Sequence, residues 1–259
     1  MKRITCSIFA AALLLLSQAA WAHFGMIIPS EDVITQKSQA DLGLTVAFCH
    51  PMERGGMAME KPERFGVVDD GKITDLLPLL QETTVYGKKA WKASYAVKRP
   101  GVYTFFAVPK PYWEPAENCF IQHLTKVVVP AFGEEGGWDK PIGLKAEIVP
   151  LTRPFGNYVG NVFRGQVLVD GKPAPGVDVE IEYDNRAGKY AAPNEYMTTQ
   201  VVKTDSQGVF AYSAPWPGWW GFAALTTSSE TIKHDGQDKE VELGAVLWTR
   251  FVEPKAQKK

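Results

Sequence analysis

The sequence lacks any excess of positive charge. Its 28 Lys and Arg stand against 29 Asp and Glu, for a formal net charge of −1. A chain so balanced has no electrostatic case for binding nucleic acid or an anionic membrane surface. No eleven-residue window carries a helical stripe, which argues against a helical bundle. Beyond the first two dozen residues, no apolar run is long enough to cross a bilayer as a helix. A phosphate-cradling glycine loop, a zincin helix and a Gly-x-Ser-x-Gly elbow are all missing, which removes the commonest sequence grounds for an enzyme. Cysteine and histidine are scarce, three and four residues respectively. That is too few thiolates for a closed four-cysteine cage. With 45% hydrophobic residues the chain is nonetheless an ordinary globular protein rather than a disordered one.

What is present begins with a leader. Lys2 and Arg3 precede the apolar run "FAAALLLL", and Ala20-Trp21-Ala22 fits the small-x-small pattern cut by signal peptidase. Residues 1–22 are therefore expected to be a signal peptide, and the mature chain a soluble periplasmic or otherwise exported protein beginning at His23. Cys6 lies before the apolar run, a poor position for a lipid-attachment cysteine. Cleavage leaves Cys49 and Cys119. In an oxidising compartment an even pair most simply forms one disulfide; two thiolate metal ligands are the alternative.

The mature chain reads as two halves, 23–137 and 138–259, joined through the Gly-rich, charged stretch 131–144. In "KAWKASYAV" Trp91, Ala93, Tyr95 and Val97 alternate with polar residues, the mark of a half-buried strand. The Pro100-Gly101 step that follows suggests a hairpin into "GVYTFFAV". In the second half Val177, Val179 and Ile181 alternate with Asp178, Glu180 and Glu182, predicting one buried and one wet face. An Asp170-Gly171 turn, a second turn at residues 205–208 and the runs "GWWGFAALTT" and "VELGAVLWTRF" complete the pattern. Many short strands with frequent turns predict an all-β fold of two antiparallel β-sandwich domains.

Two resemblances bear on function. "GQVLVDGKPAPGVDVEI" followed by "KTDSQGVFAYSAPWPGWWGF" resembles the carboxypeptidase-regulatory or transthyretin-like module, implying a Greek-key sandwich for the second domain. The stretches "AHFGMIIPS", "HPMERGGMAMEKP", "PYWEPAENCFIQHLTKVVV", "EIVPLTRPFGNYVGN" and "GWWGFAALTT" resemble a periplasmic family of unknown function associated with nickel and cobalt uptake. Some of its members are similar to accessory components of energy-coupling-factor nickel/cobalt transporters. The resemblance implies capture of Ni(II) or Co(II) and delivery to membrane transporter components, and not catalysis.

The residues offer a donor set for that chemistry. If His23 is the first mature residue, its α-amine and ring Nδ1 can close a six-membered chelate ring. The amine has a reference pKa of roughly 7.7 to 8.0, so it deprotonates more easily than a lysine. Imidazole and amine nitrogens suit Ni, Co, Cu and Zn. His50 follows Cys49, and His123 lies four residues after Cys119; a bond between those cysteines would bring the two histidines together. His23, His50 and His123 are the expected metal ligands. Met52 and Met57 are additional candidates, although thioethers favour Cu(I) and often only fill cores. Glu53 and Glu60 read more simply as exposed residues. His234, in a charged turn, has no assigned role. Two alternatives stand beside nickel or cobalt capture. One is a Cu(II) protein with an N-terminal histidine brace, since copper outranks nickel at nitrogen sites. The other is a metal-free binding module working through the aromatic loops around Trp113, Trp216, Trp219 and Trp220, which otherwise read as interdomain packing.

Overall fold

A computed structural model describes residues 23–256. The expected signal peptide, residues 1–22, and its cleavage site lie outside the described residues. Ten strands come from the first half: β1 (Phe24–Pro29), β2 (Asp41–His50), β3 (Gly55–Met57), β4 (Arg64–Asp69), β5 (Lys72–Asp75), β6 (Gln81–Val85), β7 (Lys88–Ala96), β8 (Gly101–Val108), β9 (Tyr112–Glu114) and β10 (Cys119–Ala131). The rest come from the second half: β11 (Ala146–Pro150), β12 (Asn157–Tyr158), β13 (Val162–Val169), β14 (Lys172–Pro173), β15 (Asp178–Tyr183), β16 (Gln200–Lys203), β17 (Val209–Ser213), β18 (Gly218–Thr227), β19 (Ile232–His234), β20 (Gln237–Lys239) and β21 (Val241–Val252). Among the described residues the helical content is three short 3₁₀ turns. The protein is all-β and built as face-to-face sheets, in line with the sequence pattern.

Three sheets stack as layers. The central one has ten strands, in the order β16-β15-β18-β21-β10-β8-β4-β5, with β9 beside β10 and β12 beside β21. One outer sheet runs β1-β2-β7-β6, with β3 on β2; the other runs β11-β13-β14, with β17 on β13. The alternation of the central strands shows the layering. On β10 and β21, Ile121, Val127, Val246 and Trp248 share a core with Phe24, Val46 and Trp91 of the first outer sheet. Leu124, Leu243, Ala245 and Leu247 share the other core with Ile148, Phe163 and Val167 of the second. Strands covered on both faces have no wet side to advertise, so β8 and the middle of β21 read as near-continuous apolar runs.

The halves 23–137 and 138–259 meet in that central sheet. β10 and β21 pair in parallel from Phe120 opposite Val241 to Val127 opposite Trp248. Strands from both ends of the sequence thereby become neighbours. A buried ion pair secures the connection between the halves. Lys126 Nζ on β10 lies 2.7 Å from Glu147 Oε2 on β11. Glu147 also accepts the backbone N–H groups of Ile142 and Gly143, both at 3.0 Å.

Two expectations need correction. β7 and β8 do not form a hairpin: β7 pairs with β2 and β6 in an outer sheet, and β8 pairs with β4 and β10 in the central one. The reason lies in their patterns. β7 alternates and suits a half-covered layer, whereas β8 is buried on both faces and belongs in the middle. The expected wet face of β15 is wet only at Asp178. Glu182 is buried and Glu180 half-buried, with Met52, from the turn after β2, and Thr199 both hydrogen-bonding to the Glu182 carboxylate. The Asp170-Gly171 turn does form as expected. Both residues have positive φ, 49° and 73°, as a tight two-residue hairpin requires.

Candidate metal centre

The three histidines of the first half converge. His23 immediately precedes β1 and His50 ends β2. The antiparallel register places Phe24 opposite Cys49, so the next pair outward is His23 opposite His50. Their ring centroids are 4.7 Å apart. His123 comes from the central layer, on β10. Phe48 joins the groups: its ring stacks on His23 at 5.6 Å and meets His123 edge-on at 5.7 Å. All three histidines are buried.

Two glycines make the room for His123. It lies opposite Gly244 in the parallel register, and a Cβ at position 244 would fall 2.6 Å from its Nε2. On the other side, a Cβ at Gly25 would collide with the Thr125 hydroxyl and come within 3.1 Å of His123 Cβ. Real Cβ atoms essentially never come within 3.0 Å of another heavy atom, as both would here, so glycine at the two positions lets β1 and β21 close around the imidazole.

Carboxylates hold the outer nitrogens. Glu242 Oε1 is 3.2 Å from His123 Nε2, and Glu114 Oε2 is 3.3 Å from His23 Nε2. Glu117 Oε1 stands 4.0 Å from His23 Nδ1, beyond hydrogen-bond reach. His123 Nδ1 is buried and has no hydrogen-bond partner. A buried nitrogen left unpaired costs free energy, so an orphan of this kind calls for an explanation. Burial pulls the His23 pKa down to about 4, aided by the neighbouring His50 and His123 and opposed by Glu114 and Glu242. At neutral pH His23 is therefore uncharged, with a lone pair available to a metal. Burial, with Glu242 and Glu114 adding to it, raises the Glu117 carboxyl above its usual range.

This is a convergence of donors rather than a finished coordination shell. Among the described residues, no three His, Cys, Asp or Glu side chains stand in a ligating arrangement. An ion would have to draw the imidazoles together.

The remaining candidates fall elsewhere. The expected Cys49–Cys119 disulfide is absent, and both thiols are free. Strand alternation explains it. Consecutive residues face opposite sides, so Cys49 shares the face of its cross-strand partner Phe24 while His50 turns to His23. Cys119 lies beside Glu117, with Sγ 3.8 Å from the carboxylate. The histidines thus come together through strand register and not through a covalent staple. Met52 packs into the core that includes Tyr183 and Trp220, which removes it from the donor set. Met57 is half-buried, opposite Phe48 on β3. Glu60 pairs with Lys89 at 3.2 Å on the surface. Trp216 and Trp220 pack on each other and on Tyr183. His234 stacks on Trp113, with centroids 3.9 Å apart. Sequence reasoning missed Glu114, Glu117 and Glu242. Glu114 and Glu117 were visible only as charges near His123, and Glu242 lies 119 residues away from it.

Fold and site together define a class: a layered all-β protein with a buried histidine–carboxylate cluster where the two halves meet. The chain belongs to the family described as a domain of unknown function, DUF4198, whose model matches residues 20–228. No curated protein matches it. Similar solved structures include the fibronectin(III)-like modules of Clostridium thermocellum CbhA, at 11% identity over 86% of this chain and 95% of that one, with a TM-score of 0.20. The D00-D0 domain of Intimin follows at 10% identity over 88% and 98%, TM-score 0.21. Escherichia coli alpha-2-macroglobulin spanning MG0-NIE-MG1 gives 8% identity over 87% and 72%, TM-score 0.24. Scores this low carry no argument.

Proposed function

We propose that this protein binds a divalent transition metal ion between His23, His50 and His123, capturing Ni(II) or Co(II) outside the cytoplasm and delivering it to a membrane transporter. The observation that carries the reading is the convergence of three buried imidazoles from separate strands, one with an unpaired inner nitrogen. The donor chemistry fits. Metal-bound histidines usually offer their second nitrogen to a carboxylate, which fixes the ring and raises its basicity. Glu242 and Glu114 occupy that position on the Nε2 atoms of His123 and His23. Nδ1 of each ring is then the ligating atom. For His23 this is also the nitrogen that chelates together with the α-amine, once cleavage after Ala22 has freed it. Nitrogen donors without thiolate suit a site that must release its ion. The nickel and cobalt preference and the transporter partner rest on the resemblance to uptake accessory proteins.

A second reading is Cu(II) held in a histidine brace. The cross-strand pair of His23 and His50, with rings 4.7 Å apart, favours it. One amine and two imidazoles complete such a brace, and copper binds nitrogen sites more tightly than nickel does.

Calorimetric titration of Ni(II), Co(II) and Cu(II) into protein with a native His23 terminus tests both readings. An extra residue before His23 removes the amine while keeping every side chain. It should weaken binding by at least the roughly 10- to 100-fold seen for outer-shell changes. Equal affinity of the extended and native forms would show the chelate to be wrong. Metal analysis of protein recovered from the periplasm separates nickel or cobalt from copper.

A further inference from the structure

A pocket of about 270 Å³ opens beside the histidine cluster. His123 forms part of its lining. Its walls include Phe48, Met59, Tyr112 and Ile121, and Ala58, Glu60 and Lys110 also line it. Little of this wall suits a hydrated cation, which needs a ring of oxygen donors. The carboxylate present, Glu60, is already paired with Lys89. Aromatic faces and a thioether suit an apolar, aromatic body instead.

The walls are set before any ligand arrives. Trp113 packs on His234, at 3.9 Å, and on Phe120, at 5.1 Å, and those two rings also touch each other, at 5.7 Å, on the far face of β9 from Tyr112. Tyr112 leans on Phe48 at 5.5 Å. Pre-organised walls lose little entropy on binding. The volume lies just below the roughly 300–1,000 Å³ of ordinary small-molecule sites, which limits the occupant to one or two fused rings. Lys110 is exposed and makes no ion pair among the described residues. An anionic group beside the ring would find its counter-charge there.

We propose that this pocket binds a small aromatic carboxylate, with its rings against Phe48, Tyr112 and Met59 and its carboxylate toward Lys110. The proposal uses no ion, although the pocket shares His123 with the metal centre.

The test uses metal-free mature protein titrated with 1-naphthoate and with its neutral analogue 1-naphthalenemethanol, followed by tryptophan fluorescence and calorimetry. Native protein should bind one naphthoate saturably, and more tightly than the alcohol by about two- to fivefold, the range of an exposed ion pair. Lys110→Ala should abolish that preference and keep alcohol binding. Ala58→Trp, at an exposed position that tolerates substitution, should block the pocket and weaken both ligands at least about tenfold. Nickel titration of Lys110→Ala should match native, which separates failure of the pocket from failure of the metal site. Absence of saturable naphthoate binding, equal affinity for acid and alcohol, or undiminished binding by Ala58→Trp would each overturn the proposal.

Discussion

Glu182 should make the protein lose stability as the solution becomes alkaline, and Glu182→Gln should remove that loss. The side chain is 1% exposed. It accepts hydrogen bonds from the Thr199 hydroxyl and from Met52 N at 3.1 Å. Burial nevertheless dominates and pushes its pKa from 4.5 to about 8, with those two bonds opposing. The folded state thus keeps a proton that the unfolded chain releases above pH ~4.5. A raised folded pKa gives stability that is complete below the unfolded value and is lost as pH rises through the folded one. At about 1.4 kcal/mol per pKa unit, the interval corresponds to a loss of about 2 kcal/mol by pH 6 and about 5 kcal/mol above pH 8. Glutamine does not titrate. It keeps a carbonyl acceptor and adds an amide that needs a partner, so it carries a fixed cost at every pH. Urea unfolding of native protein and Glu182→Gln at pH 5, 7 and 9 isolates the titration, since every other group cancels in the difference. The native protein should fall relative to the variant as pH rises. Two stability curves that run parallel across this range would mean that Glu182 ionises normally and that the burial argument is mistaken.

Three further outcomes are expected. Lys126→Met leaves the Glu147 carboxylate buried without its ammonium and should cost about 3 kcal/mol in urea unfolding, whereas adding Glu147→Leu should recover part of this, because replacing both buried charges is cheaper than stranding one. His23 has a folded pKa lowered to about 4, so it contributes stability above the unfolded value near 6.5 that is lost as pH falls toward 4; this amounts to about 3 kcal/mol, and His23→Ala should flatten the acid limb of the stability profile. Gly244→Ala forces a Cβ into the space of the His123 ring and should cost about 1–3 kcal/mol by overpacking while also weakening metal binding in calorimetry.

Much of the fold was legible because it depends on periodicity, which is local. The strands around Trp91, Ile181, Phe222 and Val246 all sit where alternation or apolar runs put them. Their partners were not legible. Nothing near residue 101 says that β8 leaves its neighbour β7 for another layer, although its two-sided burial was a usable signal. Site residues divide in the same way. His23, His50 and His123 stood out as rare residues in distinctive surroundings, and the structure brings them together. The argument that joined them failed, since it needed Cys49 and His50 to face the same way, which no strand permits. Register did the joining, and register is a property of two strands at once. The roles of Gly25 and Gly244 were equally hidden. Each clears space for a side chain more than ninety residues away in sequence.

The placement of the cluster follows from the parallel pairing of β10 with β21. His123 can reach Glu242 only when those strands are in register. His23 can reach His50 only when β1 is zipped to β2. β1 is itself seated by the bond from Trp248 Nε1, on β21, to the carbonyl of Gly25 at 2.8 Å. The first described strand, the last strand and the middle of the chain must all be in place before the donors meet. An unfolded or truncated chain would hold its imidazoles apart, so the proposed ion binding would be coupled to completion of the central sheet. An ion bound as proposed would stabilise the folded state by mass action. The same coupling would allow release, because loosening one edge strand, β1, would withdraw His23 and leave the remaining donors where they are.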